Sequence, residues 1–274
     1  MTIFTSTSAT NLTSVEPKMQ VFLPDSTIAT SQAVVILPGG GYAIKSFENE
    51  GTDWAPWFNE LGIAVAVVDY RLPEGDRTRP ISDATAAIDY LRSNASSLGI
   101  RPDNIGIMGF SAGGHLASVI ATQAPASSRP NFQILFYPVI SMAAPLAHRG
   151  SHDRLLGVDA PEELEREFSS HLQVDSLTPP AIILLSDDDK GVPPANSIEY
   201  YSALRKHNIP ASLHIYPTGG HGWGFSDCPW KEQMLAELKA WLRRSTVLSY
   251  ILLLKKNRLT HLASDDFIIR VESD

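Results

Sequence analysis

The sequence predicts an α/β domain built on a mostly parallel central sheet with helices on both faces. Two observations carry this. Apolar, β-branched runs alternate with longer amphipathic stretches along the chain, the pattern of strand–helix–strand units. Several of those runs are apolar throughout, as strands are when both faces of a sheet are covered. The length of 274 residues, 43% hydrophobic and 19% charged, supplies a core large enough for one such domain.

In chain order the predicted strands are MQVFLP (19–24), AVVILP (33–38), IAVAVVDY (63–70), NIGIMGF (104–110), NFQILFYP (131–138), AIILLS (181–186) and ASLHIYP (211–217). Between them lie helix patterns. TDWAPWFNELG (52–62) closes on Gly62, a residue suited to a helix C-terminus. SDATAAIDYLRSNASSLG (82–99) sets Ala84, Ala87, Ile88 and Leu91 on one stripe. NSIEYYSALRKHN (196–208) and KEQMLAELKAWLRR (231–244) are amphipathic as well. Residues 141–178 carry few strand signals and read as an excursion over the top of the sheet. The domain is expected to span 1–244, leaving 245–274 as an extension of unassigned structure.

Composition excludes several classes. A formal charge of −8 argues against a nucleic-acid partner, which calls for a basic face. The single cysteine, Cys228, permits no internal disulfide and no thiolate zinc site. The N-terminus lacks a basic segment followed by a long apolar core, so the expectation is a cytoplasmic protein, or a secreted one whose leader has been removed. The late apolar run VLSYILLL is far short of the roughly 20 residues that span a bilayer, so no membrane partner is expected. Oligomeric state is left open.

The stretch GFSAG (109–113) is a G-x-S-x-G motif. At ordinary glycine and serine frequencies such a match arises by chance in roughly one chain in ten of this length, so context decides its meaning. Here a strand precedes it and a small-residue helix follows. Ser111 is then expected on a tight, strained turn at the carboxyl end of the sheet, with its hydroxyl near a helix N-terminus. A hydroxyl nucleophile requires a base, and the base an orienting carboxylate. In this architecture the chain order is Ser, Asp, His. AIILLSDDDKG ends a strand in Asp187, Asp188 and Asp189; Asp189 is favoured as the acid and Asp188 comes second, with turn formation explaining the others. PTGGHGWGF follows a strand and holds His221 among glycines, which let the backbone aim its ring. His115, four residues after Ser111, is expected to pack behind the site, and His148 to serve a surface or structural role. LPGGGY (37–42) offers backbone N–H groups at Gly40 or Gly41 which, with that of Ala112, suit a developing oxyanion. Tyr42, Trp223 and Phe225 are expected to line the substrate pocket; burial is expected for Trp54 and Trp57, and a salt bridge for Arg71. There is no phosphate-loop or dinucleotide motif and no metal-ligand spacing, so no cofactor and no metal are expected.

Four segments, LPGGGY, GFSAGGHLA, SDDDKGVPPANSIEYYSALRKHNIP and LHIYPTGGHGWG, together resemble the α/β-hydrolase superfamily. They look most like its acetylxylan-esterase-like and feruloyl-esterase-like carbohydrate esterases, and YPVISM and HRGSHDRLLG also fit that branch. The resemblance covers roughly residues 17–244. It implies a serine carboxylic-ester hydrolase with Ser111 as nucleophile, His221 as base and Asp189 as orienting acid. The implied substrates are acetylated sugars or xylan fragments, a small-molecule or oligosaccharide ester. Two other readings share the layout: a prolyl-peptidase-like serine peptidase and a catalytically silent binding protein of the same fold.

Overall fold

A computed structural model describes residues 10–12 and 17–243. The extension expected over 245–274 lies outside the described residues. Eight strands form one sheet: β1 (Thr10–Leu12), β2 (Met19–Phe22), β3 (Gln32–Leu37), β4 (Ile63–Val68), β5 (Ile105–Phe110), β6 (Gln133–Phe136), β7 (Ala181–Ser186) and β8 (Ala211–Tyr216). Their order is β1-β2-β4-β3-β5-β6-β7-β8. The β1–β2 and β2–β4 pairs are antiparallel, and every other pair is parallel. All seven predicted strands are present; the short β1 was not expected.

Burial explains the run composition. Every residue of β3, β4, β5, β6 and β7 is buried, so these strands read as unbroken apolar runs. Strand β2 alternates buried and half-buried residues, and β8, at the sheet edge, is largely half-buried. The principal helices are α1 (Ala55–Glu60), α2 (Thr78–Ser93), α3 (Ser111–Gln123), α4 (Arg149–Leu156), α5 (Glu162–Glu167), α6 (Ala195–Lys206) and α7 (231–243). The stripe Ala84, Ala87, Ile88 and Leu91 is fully inside. Helix α2 begins earlier than the sequence reading placed it, because the Asp76 carboxylate accepts hydrogen bonds from the Thr78 N–H (2.9 Å) and hydroxyl (2.6 Å) and organises the turn before it. It ends earlier too, and the chain turns over 94–99 to Gly99 at φ +66°.

The crossovers locate the site. The β3–α1–β4 connection runs toward one edge of the sheet, whereas β4–α2–β5, β5–α3–β6 and β7–α6–β8 run toward the other. With right-handed crossovers, α1 lies on one face and α2, α3 and α6 on the opposite face. Neighbouring strands β3 and β5 therefore send their chains in opposite directions, and a crevice opens beyond their carboxyl ends. The LPGGGY loop leaves β3 there, and Ser111 leaves β5.

Candidate active site

Ser111 sits at φ +52°, a left-handed conformation that costs a side-chain-bearing residue about 1–3 kcal/mol and that the surrounding packing must hold. The glycines of its motif are steric necessities. A methyl group on Gly109 would meet the Gly113 carbonyl oxygen closer than 3.0 Å, and one on Gly113 would meet the Leu37 carbonyl oxygen equally badly. Strand, elbow and helix therefore close on one another only without those side chains. The Ser111 carbonyl accepts from the Val139 N–H (3.0 Å), which ties the elbow to the β6 side of the sheet.

Around this elbow the structure brings together the three sequence-predicted groups. His221 Nε2 lies 2.8 Å from Ser111 Oγ, and His221 Nδ1 lies 2.7 Å from Asp189 Oδ2. The other Asp189 oxygen accepts from the N–H groups of Gly191 (2.8 Å) and Val192 (2.9 Å), so both oxygens are engaged and the carboxylate is fixed. Because a carboxylate only accepts, Nδ1 carries the proton in the neutral ring, leaving Nε2 to accept from the serine hydroxyl. Asp188 instead accepts from the Gly220 N–H (2.8 Å) and shapes the loop leading to His221.

The LPGGGY loop runs against the elbow. A β-carbon placed on Gly39 would lie 3.0 Å from Ser111 Cβ. The Gly39 N–H is taken by Glu50 (2.8 Å), whereas the N–H groups of Gly40, Gly41 and Ala112 have no hydrogen-bond partner among the described residues. Gly40 and Gly41 have φ +134° and +63°, the backbone shape that turns the loop here.

Two expected pocket residues turn inward. Tyr42 is 2% exposed and donates its hydroxyl to His115 Nδ1 (2.8 Å), while His115 Nε2 donates to the Phe168 carbonyl (2.7 Å). Burial pushes the His115 pKa down to about 4, so this relay is neutral. Trp223 is 6% exposed, packs edge-on against Phe136 and Tyr137, and donates its indole N–H to Ser186 Oγ (3.2 Å). Trp223 thus belongs to the packing beneath the site, whereas Tyr42, though buried, forms part of the wall of a neighbouring cavity. The glycines that neighbour Trp223 in sequence misdirected the expectation for that residue. Trp54 is fully buried and Arg71 pairs with Asp83, as expected, whereas Trp57 is half-buried, edge-on to Trp54.

Other groups have no motif to announce them. Glu50 is 4% exposed; one oxygen accepts from the Gly39 N–H and the other from the Tyr137 hydroxyl (2.8 Å), which itself accepts from the Gly224 N–H (2.8 Å). Burial raises the Glu50 pKa. Asn49 binds the same glycine-rich loop: its Oδ1 accepts from Phe225 N (3.1 Å), Ser226 N (2.9 Å) and Ser226 Oγ (2.7 Å). The only sequence signal for this pair is a polar Asn-Glu within the segment after the glycine loop. His148, at the head of α4, accepts at Nδ1 from Ser151 N (3.2 Å) and Ser151 Oγ (2.8 Å). Its Nε2–H is then a free donor among the described residues. The His148 ring and the Arg154 guanidinium both flank Gly41, each 3.7 Å from where its β-carbon would stand. The 141–178 excursion thus reaches the site through α4.

Comparison with known proteins supplies an independent line. Residues 19–204 match the family model described as BD-FAE. Over 231 residues the chain is 45% identical to the acetylxylan esterase of Xylanibacter ruminicola, an alignment covering 82% of this chain and 48% of that protein. It is 33% identical to endo-1,4-beta-xylanase B of Butyrivibrio fibrisolvens, over 69% of this chain and 32% of that one. The chain therefore spans about half or less of the length of these curated relatives. Among solved structures, an acetyl ester-xyloside bifunctional hydrolase from Caldicellulosiruptor lactoaceticus superposes with a TM-score of 0.78 at 35% identity, covering 83% of this chain and 88% of that one. The architecture is the α/β-hydrolase fold.

Proposed function

The chain belongs to the BD-FAE family, and on that premise we propose that it is a serine carboxylic-ester hydrolase that removes acetyl groups from acetylated sugars or xylan fragments. The observation that carries the proposal is the unbroken hydrogen-bond sequence from Ser111 through His221 to Asp189 on a strained elbow. Similarity to an acetylxylan esterase and to an acetyl ester-xyloside hydrolase supports the substrate class.

In this reading His221 Nε2 takes the Ser111 proton as Oγ bonds to the ester carbonyl carbon. The resulting oxyanion accepts from the N–H groups of Ala112 and of Gly40 or Gly41, at the positive end of α3. Asp189 holds the ring and stabilises its positive charge. His221 then returns the proton to the departing sugar oxygen, the carbonyl re-forms, and the acetyl group remains on Ser111 as an ester. Water, deprotonated by the same histidine, attacks that ester; the bond to Ser111 Oγ breaks, the proton returns to Oγ and acetate leaves.

A substrate panel tests this: acetylated xylo-oligosaccharides, p-nitrophenyl acetate and a prolyl dipeptide amide. Acetate release from the first two and no cleavage of the third is expected. Cleavage of the amide alone would replace the esterase reading with a peptidase one, and no turnover of any would favour a silent binding protein.

A further inference from the structure

Beside the Gly41 turn lies a cavity of about 530 Å³ whose lining includes Tyr42, Leu72, Arg77 and Arg154 together with two acids, Glu74 and Asp153. The charges in this lining are unequally satisfied. Glu74 is paired with Arg79 (2.5 Å), and Asp153 with Arg149 (2.8 Å) and His152 (2.8 Å). Neither Arg77 nor Arg154 has an acidic partner among the described residues. Arg77 stacks over the Phe168 ring at 5.8 Å, and Arg154 donates one N–H group to the carbonyls of Gly150 (2.9 Å) and, more weakly, Gly41 (3.4 Å). The lining therefore carries two uncompensated guanidinium charges in a chain whose formal charge is −8. Arg154 is held through one terminal nitrogen by backbone carbonyls, which leaves its other guanidinium N–H groups for a carboxylate, whose two oxygens match that planar group. His148, beside Arg154 at Gly41, adds an Nε2–H donor suited to a hydroxyl.

From this we infer that the cavity is a subsite for the alcohol part of the ester, and that it selects sugars bearing a carboxylate: Arg154 and Arg77 bind the anionic group while His148 binds a hydroxyl near the ester. The inference rests on the esterase reading and names its substrate class more narrowly, as acetylated oligosaccharides with uronic-acid substituents. The overall acidity of the chain predicts the opposite preference, through repulsion of anionic substrates, so the two arguments separate cleanly.

The test compares kcat/KM on acetylated xylo-oligosaccharides of equal length with and without a uronate substituent. A preference of about tenfold for the uronate form is expected, equivalent to about 1.4 kcal/mol, carried mainly by KM. It should shrink at high salt, since at 1 M the screening length falls to about 3 Å. Arg154→Gln and Arg77→Gln should each reduce the ratio, and Arg154→Lys should retain part of it. Because the readout is a ratio, turnover of the neutral substrate reports folding in the same sample. If a glutamine variant fails to fold, the salt titration of the unaltered protein still decides the matter. Equal rates on both substrates, or a preference insensitive to salt or to both substitutions, overturns the subsite while leaving the esterase reading intact. Absence of acetate release from either substrate overturns both.

Discussion

The two sides of the cleft around Ser111 are built on opposite principles. On the Asn49–Glu50 side, side-chain groups are consumed internally: Glu50 bridges Gly39 to Tyr137, Tyr137 reaches Gly224, and Asn49 binds the 225–226 turn. On the α4 side, Arg154, Arg77 and His148 keep donors that nothing among the described residues accepts. Satisfied buried networks hold a geometry, because any displacement leaves a polar group unpaired at a cost of about 1–3 kcal/mol. Unsatisfied donors at a cavity wall remain available for a ligand. The first side joins the loop of the candidate oxyanion donors to the loop of His221; the second faces what arrives.

The comparison can be attacked from its strongest point outward. Asp189→Asn should lower kcat by roughly 10³–10⁴-fold, because an amide in that place can present its N–H₂ group to the ring and favour the wrong tautomer. Asp188→Asn should cost less than about tenfold, since Asp188 only shapes the loop through Gly220. Steady-state ester kinetics on the two variants check this, and a larger loss for Asp188→Asn would reassign the orienting acid.

Glu50→Gln comes next. Glutamine offers one acceptor oxygen where two donors, Gly39 N–H and the Tyr137 hydroxyl, now converge. We expect kcat to fall about 10- to 100-fold with KM nearly unchanged, because a small misplacement of the reacting groups acts on the transition state. Urea unfolding should show a loss of about 1–3 kcal/mol. An unchanged kcat would show that the clamp serves folding alone.

The last effect leaves turnover aside and concerns acid stability. His115 has a folded-state pKa of about 4 against an ordinary 6.5. Between those values the native state binds fewer protons than the unfolded chain. Its contribution is therefore fully present above pH 6.5 and is lost as pH falls through 4, a change of about 3 kcal/mol. Stability measured by urea unfolding across that range should slope less steeply in His115→Gln. An identical slope would assign the acid sensitivity to other groups.

How much of this was legible beforehand follows from what each feature depends on. The central strands were legible because burial on both faces forces unbroken apolar runs such as AVVIL and AIILL. The elbow was legible because its sterics admit only glycine at positions 109 and 113. The ends of α2 were not, since a single side chain, Asp76, sets where it starts. Trp223 was misplaced because sequence gives proximity to a loop and not the direction of a side chain; Tyr42, on the glycine loop, does reach a cavity wall. Glu50 and Asn49 carry no local pattern; the partners named for them lie 11 to 177 residues away in the chain. A single Glu followed by Gly, as at Glu50–Gly51, reads as an ordinary turn until the fold brings Tyr137 to it.

The central claim is that Ser111 is a nucleophile activated by His221. A fluorophosphonate probe, which forms a covalent adduct only with an activated serine, tests it directly on the folded protein, with the adduct located by peptide mass mapping. The account predicts one adduct, on Ser111, formed in the unaltered protein and absent from both Ser111→Ala and His221→Gln, in parallel with the loss of p-nitrophenyl acetate turnover. A folded protein that takes up no probe, or that labels and hydrolyses ester as fast after Ser111→Ala, would contradict it.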